Sequence, residues 1–320
     1  MLDSATWYRE TQRSETTGNL RHLQETMKPL TRRQMLARSS RTVAALALSS
    51  PLAPLFAAPA QRQFKIGACD WSIGKMCDPT ALTVAKEIGL DGVQVSLGTA
   101  KNNMHLRQAA LQQQYQDAVK ATGARVASLA IGELNDIPYK SDPRTIEWVN
   151  DGIEVCQAMG CRVILLAFFG NGDLREDKKG TDEVVRRLKE VAPKADKAGV
   201  ILAVESWLSA KGHMDILQRV GSPAVQVYYD VCNSTDRGYD IYQEIRWLGN
   251  QKAICEFHAK ENGSLLGQGN VDFRKVRTAM DDIGYRGWIQ IEGAVPKDAP
   301  MLESYRKNLA FLRGVFPKDA

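Results

Sequence analysis

Four stretches in the second half of the chain decide how it is read: Val200-Ile-Leu-Ala-Val-Glu205, Val225-Gln-Val-Tyr-Tyr-Asp230, Ala253-Ile-Cys-Glu-Phe-His258 and Trp288-Ile-Gln-Ile-Glu292. Each is a short apolar run, rich in β-branched or aromatic residues, with the length of a buried strand. Each closes on a carboxylate or an imidazole. A single acid at a strand end is commonly a loop carboxylate or a helix cap. Four metal-binding side chains at the same end of four consecutive strands go beyond that, and a cap would not call for His258. The steps from Glu205 to Asp230, His258 and Glu292 are 25, 28 and 34 residues. Each leaves room for one helix and two loops, so the four groups can converge at one end of a parallel sheet. Three carboxylates and one imidazole suit one hard to borderline ion, Mn²⁺, Mg²⁺ or Co²⁺. Zn²⁺ is admissible, although a structural zinc would favour thiolates.

Working outward, the same pattern divides the chain into eight strand and helix units. Strands are expected at Phe64 to Cys69, Gly92 to Leu97, Arg125 to Ile131, Arg162 to Phe168, Val200 to Glu205, Val225 to Asp230, Ala253 to His258 and Trp288 to Glu292. Amphipathic stretches separate them, several ending at a glycine just before the next strand: Gly89, Gly123, Gly160, Gly199 and Gly284. Glycine there can adopt the left-handed conformation that terminates a helix. Asp78-Pro79 and Asp142-Pro143 read as helix starts with proline in the first helical position. Alternation of this kind specifies an α/β protein with a parallel sheet, and eight units closed on themselves make a (β/α)₈ TIM barrel. A doubly wound open sheet is the alternative, but no Gly-x-Gly-x-x-Gly follows the first strand.

Residues 1–60 carry a different signal. Thr31-Arg-Arg-Gln-Met-Leu36 has the form of a twin-arginine export motif. It precedes an Ala- and Leu-rich run from Thr42 to Phe56 and an Ala58-Pro59-Ala60 cleavage pattern. The mature chain, residues 61–320, is then a single barrel domain beginning near Gln61. The polar stretch before Met27 is long for such a signal, which makes Met27 an alternative start. The apolar run, broken by Ser49, Ser50, Pro51 and Pro54, is a poor transmembrane helix, although it is compatible with an uncleaved anchor. Export, with a periplasmic location, is the expectation.

Removing that segment changes the electrostatic picture. It holds 8 Lys or Arg and 4 Asp or Glu, leaving 34 basic against 33 acidic residues from totals of 42 and 37. The net charge of +5 is mostly a property of the signal. No basic cluster remains to track a phosphate backbone, and the pairs Lys178-Lys179 and Arg186-Arg187 read as solvated helix surface. Six cysteines, Cys69, Cys77, Cys156, Cys161, Cys232 and Cys255, lack Cys-x-x-Cys spacing. Since the twin-arginine route carries proteins folded in a reducing cytoplasm, free thiols are the default, with a Cys69–Cys77 bridge after export as an alternative.

The strings Ile-Leu-Ala-Val-Glu205-Ser, Tyr-Tyr-Asp230-Val-Cys-Asn233-Ser, Phe-His258-Ala-Lys260-Glu-Asn262, Leu266-Gly-Gln-Gly269-Asn-Val-Asp272-Phe and Gly-Tyr-Arg-Gly-Trp-Ile-Gln-Ile-Glu292 resemble the sugar phosphate isomerase and epimerase family. That family belongs to the xylose-isomerase-like barrels, with ketose 3-epimerases, hydroxypyruvate isomerase, inosose dehydratase and endonuclease IV. The resemblance spans roughly Phe64 to Val315 and specifies no substrate. It implies one divalent metal held by Glu205, Asp230, His258 and Glu292, on the loops at the C-terminal ends of the strands. It also implies that Glu205 and Glu292 face each other across the substrate, one abstracting a proton and one donating, in either assignment. A metal bound to two vicinal oxygens of a ketose polarises its carbonyl and stabilises the enediolate. Proton return to the same carbon from the opposite face gives epimerisation, return to the adjacent carbon gives isomerisation, and loss of a β-hydroxyl gives dehydration.

Other residues are candidates for substrate binding. Lys260, two residues past His258, points to the same side of the strand end and can reach a hydroxyl or oxyanion, or it can snorkel to solvent. Glu133, after the third strand, can hold a hydroxyl or serve as a loop carboxylate. Trp71, Trp207 and Phe169 follow strand ends and can form apolar walls. His213 and His105, near helix starts, read as surface or capping residues. Asn233 stands where tagatose-type epimerases place a histidine, and asparagine can orient a hydroxyl but cannot titrate. Endonuclease IV needs three zincs and many histidines, whereas only His105, His213 and His258 survive removal of the signal. The main expectation is therefore an isomerase or epimerase of a free sugar or keto-sugar, with a lyase or dehydratase on an oxidised sugar or inosose second. A non-catalytic carbohydrate-binding barrel comes third. The partners expected are a small carbohydrate and the twin-arginine machinery, without nucleic acid; a homo-oligomer is compatible with the sequence.

Overall fold

A computed structural model describes residues 63–318. The expected signal segment, its cleavage site and the alternative start at Met27 lie outside the described residues. Strands β1 (Lys65–Cys69), β2 (Gly92–Ser96), β3 (Arg125–Ile131), β4 (Val163–Phe168), β5 (Ile201–Ser206), β6 (Val225–Asp230), β7 (Ile254–Ala259) and β8 (Trp288–Ile291) pair in sequence order, and β8 closes on β1. All eight pairings are parallel. The chain folds as a TIM barrel, and each expected strand lies within one residue of an observed one at either end.

The helices are α1 (Ala81–Ile88), α2 (Ala109–Thr122), α3 (Arg144–Ala158), α4 (Lys178–Ala198), α5 (Ala210–Val220), α6 (Val231–Asp236), α7 (Ile241–Asn250), α8 (Phe273–Asp282) and α9 (Met301–Val315). Their apolar faces follow the three-and-four spacing of an amphipathic helix. In α4, for example, Val184, Val185, Leu188, Val191, Ala192 and Ala195 are buried. The five punctuating glycines all take positive φ, from 65° at Gly284 to 94° at Gly89, as helix termination requires. The two prolines correct the expected helix starts. Helix α1 begins at Ala81, because the Asp78 carboxylate accepts the Thr80 amide at 2.8 Å and holds the chain outside the helix for two residues. Asp142 does the same for the Arg144 amide at 2.9 Å, leaving Pro143 at the cap.

Barrel closure places the even-numbered residues of β6, β7 and β8 toward the axis, since alternate residues share a face. Glu256 and His258 therefore stack along β7, as do Tyr228 and Asp230 along β6. Ser128 Oγ on β3 donates to Glu256 Oε2 on β7 at 2.9 Å, a bond between strands four apart in the ring that can form only across the interior. A buried polar layer of Gln94, Ser128, Glu256 and Gln290 thus lies beneath the strand-end quartet, where barrels usually carry bulky apolar side chains. The six cysteines are free thiols. Cys69 faces Gln94 and His258. Cys156 and Cys161 are in contact, with sulfurs 3.2 Å apart. Among the described residues no helix is long and apolar enough to cross a membrane.

Candidate metal centre

Strands β5 to β8 deliver the four ligand candidates to one end of the barrel. One donor atom from each of Glu205, Asp230, His258 and Glu292 lies within 4.8 Å of all the others. His258 Nδ1 is 2.8 Å from Glu205 Oε1, 3.5 Å from Glu292 Oε2 and 3.9 Å from Asp230 Oδ2. The imidazole is fully buried, with the Tyr228 ring 4.5 Å from it and Trp71 set edge-on at 6.3 Å.

Asp230 shows why a strand-end acid can be both a cap and a ligand. Its Oδ1 accepts the amides of Cys232 and Asn233, both at 2.8 Å, and so caps α6. Its Oδ2 is buried with no hydrogen-bond partner. Lys260 Nζ, at 3.8 Å, is too far to donate to it. A buried carboxylate oxygen without a donor carries a desolvation cost that a cation would remove. Burial, with Glu292 and Glu205 adding to it and Lys260 opposing, pushes the Asp230 carboxyl up to about 7. The donor set and this unpartnered oxygen fit one divalent metal.

The other groups respond to the same crowd of charge. Burial disfavours an imidazolium at His258, but Cys69, Glu205 and Glu292 more than offset it and raise the pKa well above its ordinary value. Cys69 is itself pushed up to about 12 by burial, so at neutral pH it is an uncharged thiol, and the charge that favours a proton on His258 is that of Glu205 and Glu292. Glu292 is brought down to about 2: burial opposes its charge, but His258, Lys260 and a hydrogen bond from Trp71 prevail. Trp71 Nε1 donates to Glu292 Oε1 at 3.0 Å and Lys260 Nζ donates to Oε2 at 2.9 Å. Burial lowers the Lys260 pKa, and Glu292 and Asp230 raise it to a net value above the ordinary lysine range.

A family model described as Xylose isomerase-like TIM barrel matches residues 82–315. The chain belongs to that family. A 2-epi-5-epi-valiolone 7-phosphate 2-epimerase of Actinoplanes sp. is 23% identical over 222 residues, covering 68% of this chain and 82% of the relative. An L-ribulose-5-phosphate 3-epimerase of Salmonella heidelberg is 27% identical over 233 residues, covering 66% and 80%. Among solved structures, the D-psicose 3-epimerase of Clostridium cellulolyticum H10 superposes with a TM-score of 0.67 at 17% identity, covering 79% of this chain and 99% of that one. The 3-keto-D-glucoside 4-epimerase of E. coli gives 0.65 at 17%, covering 79% and 100%. At such identity the structures speak for the fold.

Within this xylose isomerase-like barrel, the remaining candidates fall at different places. Lys260 and Trp71 contact the quartet directly through Glu292. Asn233 sits in α6 with its amide bound to Asp230. Trp207 lies beyond β5, edge-on to Phe169 at 5.2 Å and flanked by the guanidinium groups of Arg175 at 4.8 Å and Arg237 at 5.2 Å. Glu133 accepts the Ala100 amide at 2.8 Å, tying the β3 loop to the β2 loop. Two expectations are corrected. His213 is 3% exposed: its Nε2 meets Ser206 Oγ at 2.9 Å, its Nδ1 meets the Ser209 carbonyl at 3.1 Å, and burial lowers its pKa to about 4. His105, also read as a surface or capping residue, is buried at the start of a 3₁₀ turn. His213 is inside because the apolar face of α5 turns inward, and His105 because it packs edge-on against the buried Tyr115 ring. Gln94, Ser128 and Glu256 were absent from the sequence reading. Only Glu256 carries a signal, the period of two: Tyr228, Glu256 and Gln290 stand two residues before Asp230, His258 and Glu292, so they face the same interior.

Proposed function

We infer that this protein is a divalent-metal-dependent epimerase or isomerase of a keto-sugar. The observation that carries this reading is the gathering of donor atoms from Glu205, Asp230, His258 and Glu292 within 4.8 Å, with Asp230 Oδ2 unpartnered. Mn²⁺, Mg²⁺ or Co²⁺ is the proposed ion, matched to three carboxylates and one imidazole. When bound, such an ion polarises the ketose carbonyl and stabilises the negative charge that develops beside it.

Glu205 and Glu292 are the proposed proton-transfer pair, with the ionised Glu292 taking the proton from carbon and Glu205 returning one. They come from β5 and β8, three strands apart in a ring of eight, so their carboxylates approach the centre from different sides. A proton taken from carbon by one and returned to the opposite face by the other inverts that carbon; return to the neighbouring carbon moves the carbonyl. Lys260 and Trp71 each bind a different oxygen of Glu292 and hold it ionised and fixed in direction. Trp71 and Trp207, the latter with Phe169, are proposed as walls that exclude water, and Asn233 and Glu133 as partners for sugar hydroxyls.

The names of the relatives include both phosphorylated and free sugars as substrates. A free keto-sugar is proposed here, because Lys260 is already paired with Glu292 and Arg175 with Asp173. Twin-arginine export, proposed from residues 31–60, agrees with it. Changing Arg32 and Arg33 together to Lys should retain the precursor in the cytoplasm, and N-terminal sequencing of exported protein should begin near Gln61. The activity is tested by chelation: stripped protein should turn over no ketose and Mn²⁺ should restore turnover. Undiminished turnover in the stripped protein contradicts the reading.

A further inference from the structure

Behind His258 runs a continuous line of buried hydrogen bonds. His258 Nε2 is 2.8 Å from Gln94 Oε1, Gln94 Nε2 donates to Ser128 Oγ at 3.1 Å, and Ser128 Oγ donates to Glu256 Oε2 at 2.9 Å. The four side chains come from β7, β2, β3 and β7, and none is more than 3% exposed. The pairing of β2 with β3 shifts register between Val93 and Gln94, an irregularity of the kind that re-aims a side chain beside a site.

The direction of this line follows from its upper end, where the Cys69 thiol and the His258 ring both meet Gln94 Oε1. Glu256 can use the Ser128 hydrogen, which leaves Ser128 Oγ to accept from Gln94. The amide of Gln94 therefore turns its NH₂ toward Ser128 and its oxygen toward His258. Cys69 supports the same orientation, since its thiol donates to Gln94 Oε1 at 3.3 Å. A flipped amide would set its NH₂ against the Cys69 thiol and the ring nitrogen, and would offer Ser128 no donor. With an acceptor at 2.8 Å, Nε2 carries a hydrogen, and Nδ1 is the nitrogen that faces Glu205, Glu292 and Asp230.

We propose that Gln94 is a positioning residue for the metal centre, locking the His258 ring and its tautomer so that the Nδ1 lone pair is presented to the ion. Ser128 accepts the Gln94 amide from below. The inference rests on the metal-binding role of His258. Partners of this kind behind a ligating histidine typically contribute about 10- to 100-fold to metal affinity.

The test uses the protein with the metal alone. Calorimetric titration of chelator-stripped wild type with Mn²⁺ is compared with Gln94→Leu, which removes the acceptor, and Gln94→Glu, which keeps one. ¹⁵N-histidine NMR of the Mg²⁺-loaded protein, assigned against His258→Asn, reads the tautomer. Gln94→Leu should bind Mn²⁺ about 10- to 100-fold more weakly while keeping a folded circular dichroism spectrum. Gln94→Glu should retain most of the affinity, and wild-type His258 should be protonated on Nε2. If Gln94→Leu fails to fold, Gln94→Met, of similar shape and without an acceptor oxygen, takes its place in the same titration. Equal affinity in Gln94→Leu, or a His258 protonated on Nδ1 when metal is bound, overturns the proposal. A wild type that takes up no ion overturns the metal-binding reading instead.

Discussion

Lys260 Nζ donates to Glu292 Oε2 at 2.9 Å, so a lysine two residues beyond one candidate ligand neutralises another on the neighbouring strand. The same ammonium lies 3.8 Å from Asp230 Oδ2. It partly balances three carboxylates gathered at one strand end, and a bound dication would share that task. Removing Lys260 should therefore matter most when the metal is absent. Loss of one partner from a fully buried pair costs about 3–5 kcal/mol, and the 23% exposure of the Lys260 side chain brings the expectation below that range. Lys260→Met should lower the melting temperature of chelator-stripped protein clearly more than that of the Mn²⁺-loaded form. Equal losses in both forms would show that the lysine serves packing alone.

Metal binding itself should be visible as stability. An ion that binds only the folded state adds about 2.7 kcal/mol at a hundredfold excess over Kd, which for a domain of this size is roughly 5–10 °C in melting temperature. Asp230→Asn replaces the unpartnered Oδ2 with a weaker, neutral ligand. That variant, together with His258→Asn, should show little or no stabilisation by Mn²⁺. Differential scanning calorimetry with and without the ion makes the comparison.

His213 should make stability fall as the solution is acidified. Its folded pKa is lowered to about 4 by burial, whereas an unfolded histidine titrates near its ordinary 6.5. Between those values the unfolded chain takes up a proton that the folded protein refuses. The stabilisation is complete above the unfolded value and is lost as pH drops toward the folded one, on the order of 3 kcal/mol in all. The difference in unfolding free energy between wild type and His213→Asn should change over that window and level off on both sides. A difference independent of pH would mean that His213 is free to ionise in the folded state.

Gly67 makes room for the polar floor of the barrel. A Cβ there would stand 2.1 Å from Gln290 Oε1 and 2.9 Å from the Gly92 carbonyl. Since the second contact is backbone, a rotamer change cannot relieve both. Gly67→Ala should cost about 1–3 kcal/mol by denaturant unfolding, as overpacked cores do. Gly314→Ala, in helix α9 with no atom near its Cβ, should be neutral or stabilise slightly. Equal stability of the two variants would show that the barrel yields at Gly67.

The barrel and the candidate metal quartet were legible in the sequence because both follow from local pattern. Apart from Gln226, Val225-Gln-Val-Tyr-Tyr-Asp230 is β-branched and aromatic up to a single acid, and that acid closes the strand. The polar floor was less visible. Gln94, Ser128 and Glu256 lie within strands where a polar residue can face a helix, the solvent or the axis, and only closure of the ring decides which. Counting back two from Asp230, His258 and Glu292 would have found Tyr228, Glu256 and Gln290, but the link to Gln94 and Ser128 crosses the barrel and has no signature in spacing. His213 was misplaced for a related reason. Ala210, Ile216 and Leu217 are buried, so at three- and four-residue spacing it shares their inward face. The helix-start signal alone does not say which face turns in.

The central claim, proton transfer at carbon by Glu205 and Glu292, is tested most directly by proton NMR in D₂O of Mn²⁺-reconstituted protein with free ketoses, 3-keto-sugars and their phosphate esters, the Mn²⁺ being removed from each sample before the spectrum is recorded. Wild type should incorporate deuterium at one carbon beside the carbonyl in a metal-dependent manner. Glu292→Gln should still bind the sugar but exchange about 10²- to 10⁴-fold more slowly, the range expected for loss of a general acid–base group. Exchange that survives at the wild-type rate in Glu292→Gln, or that is absent from every sugar with the ion bound, would contradict the account.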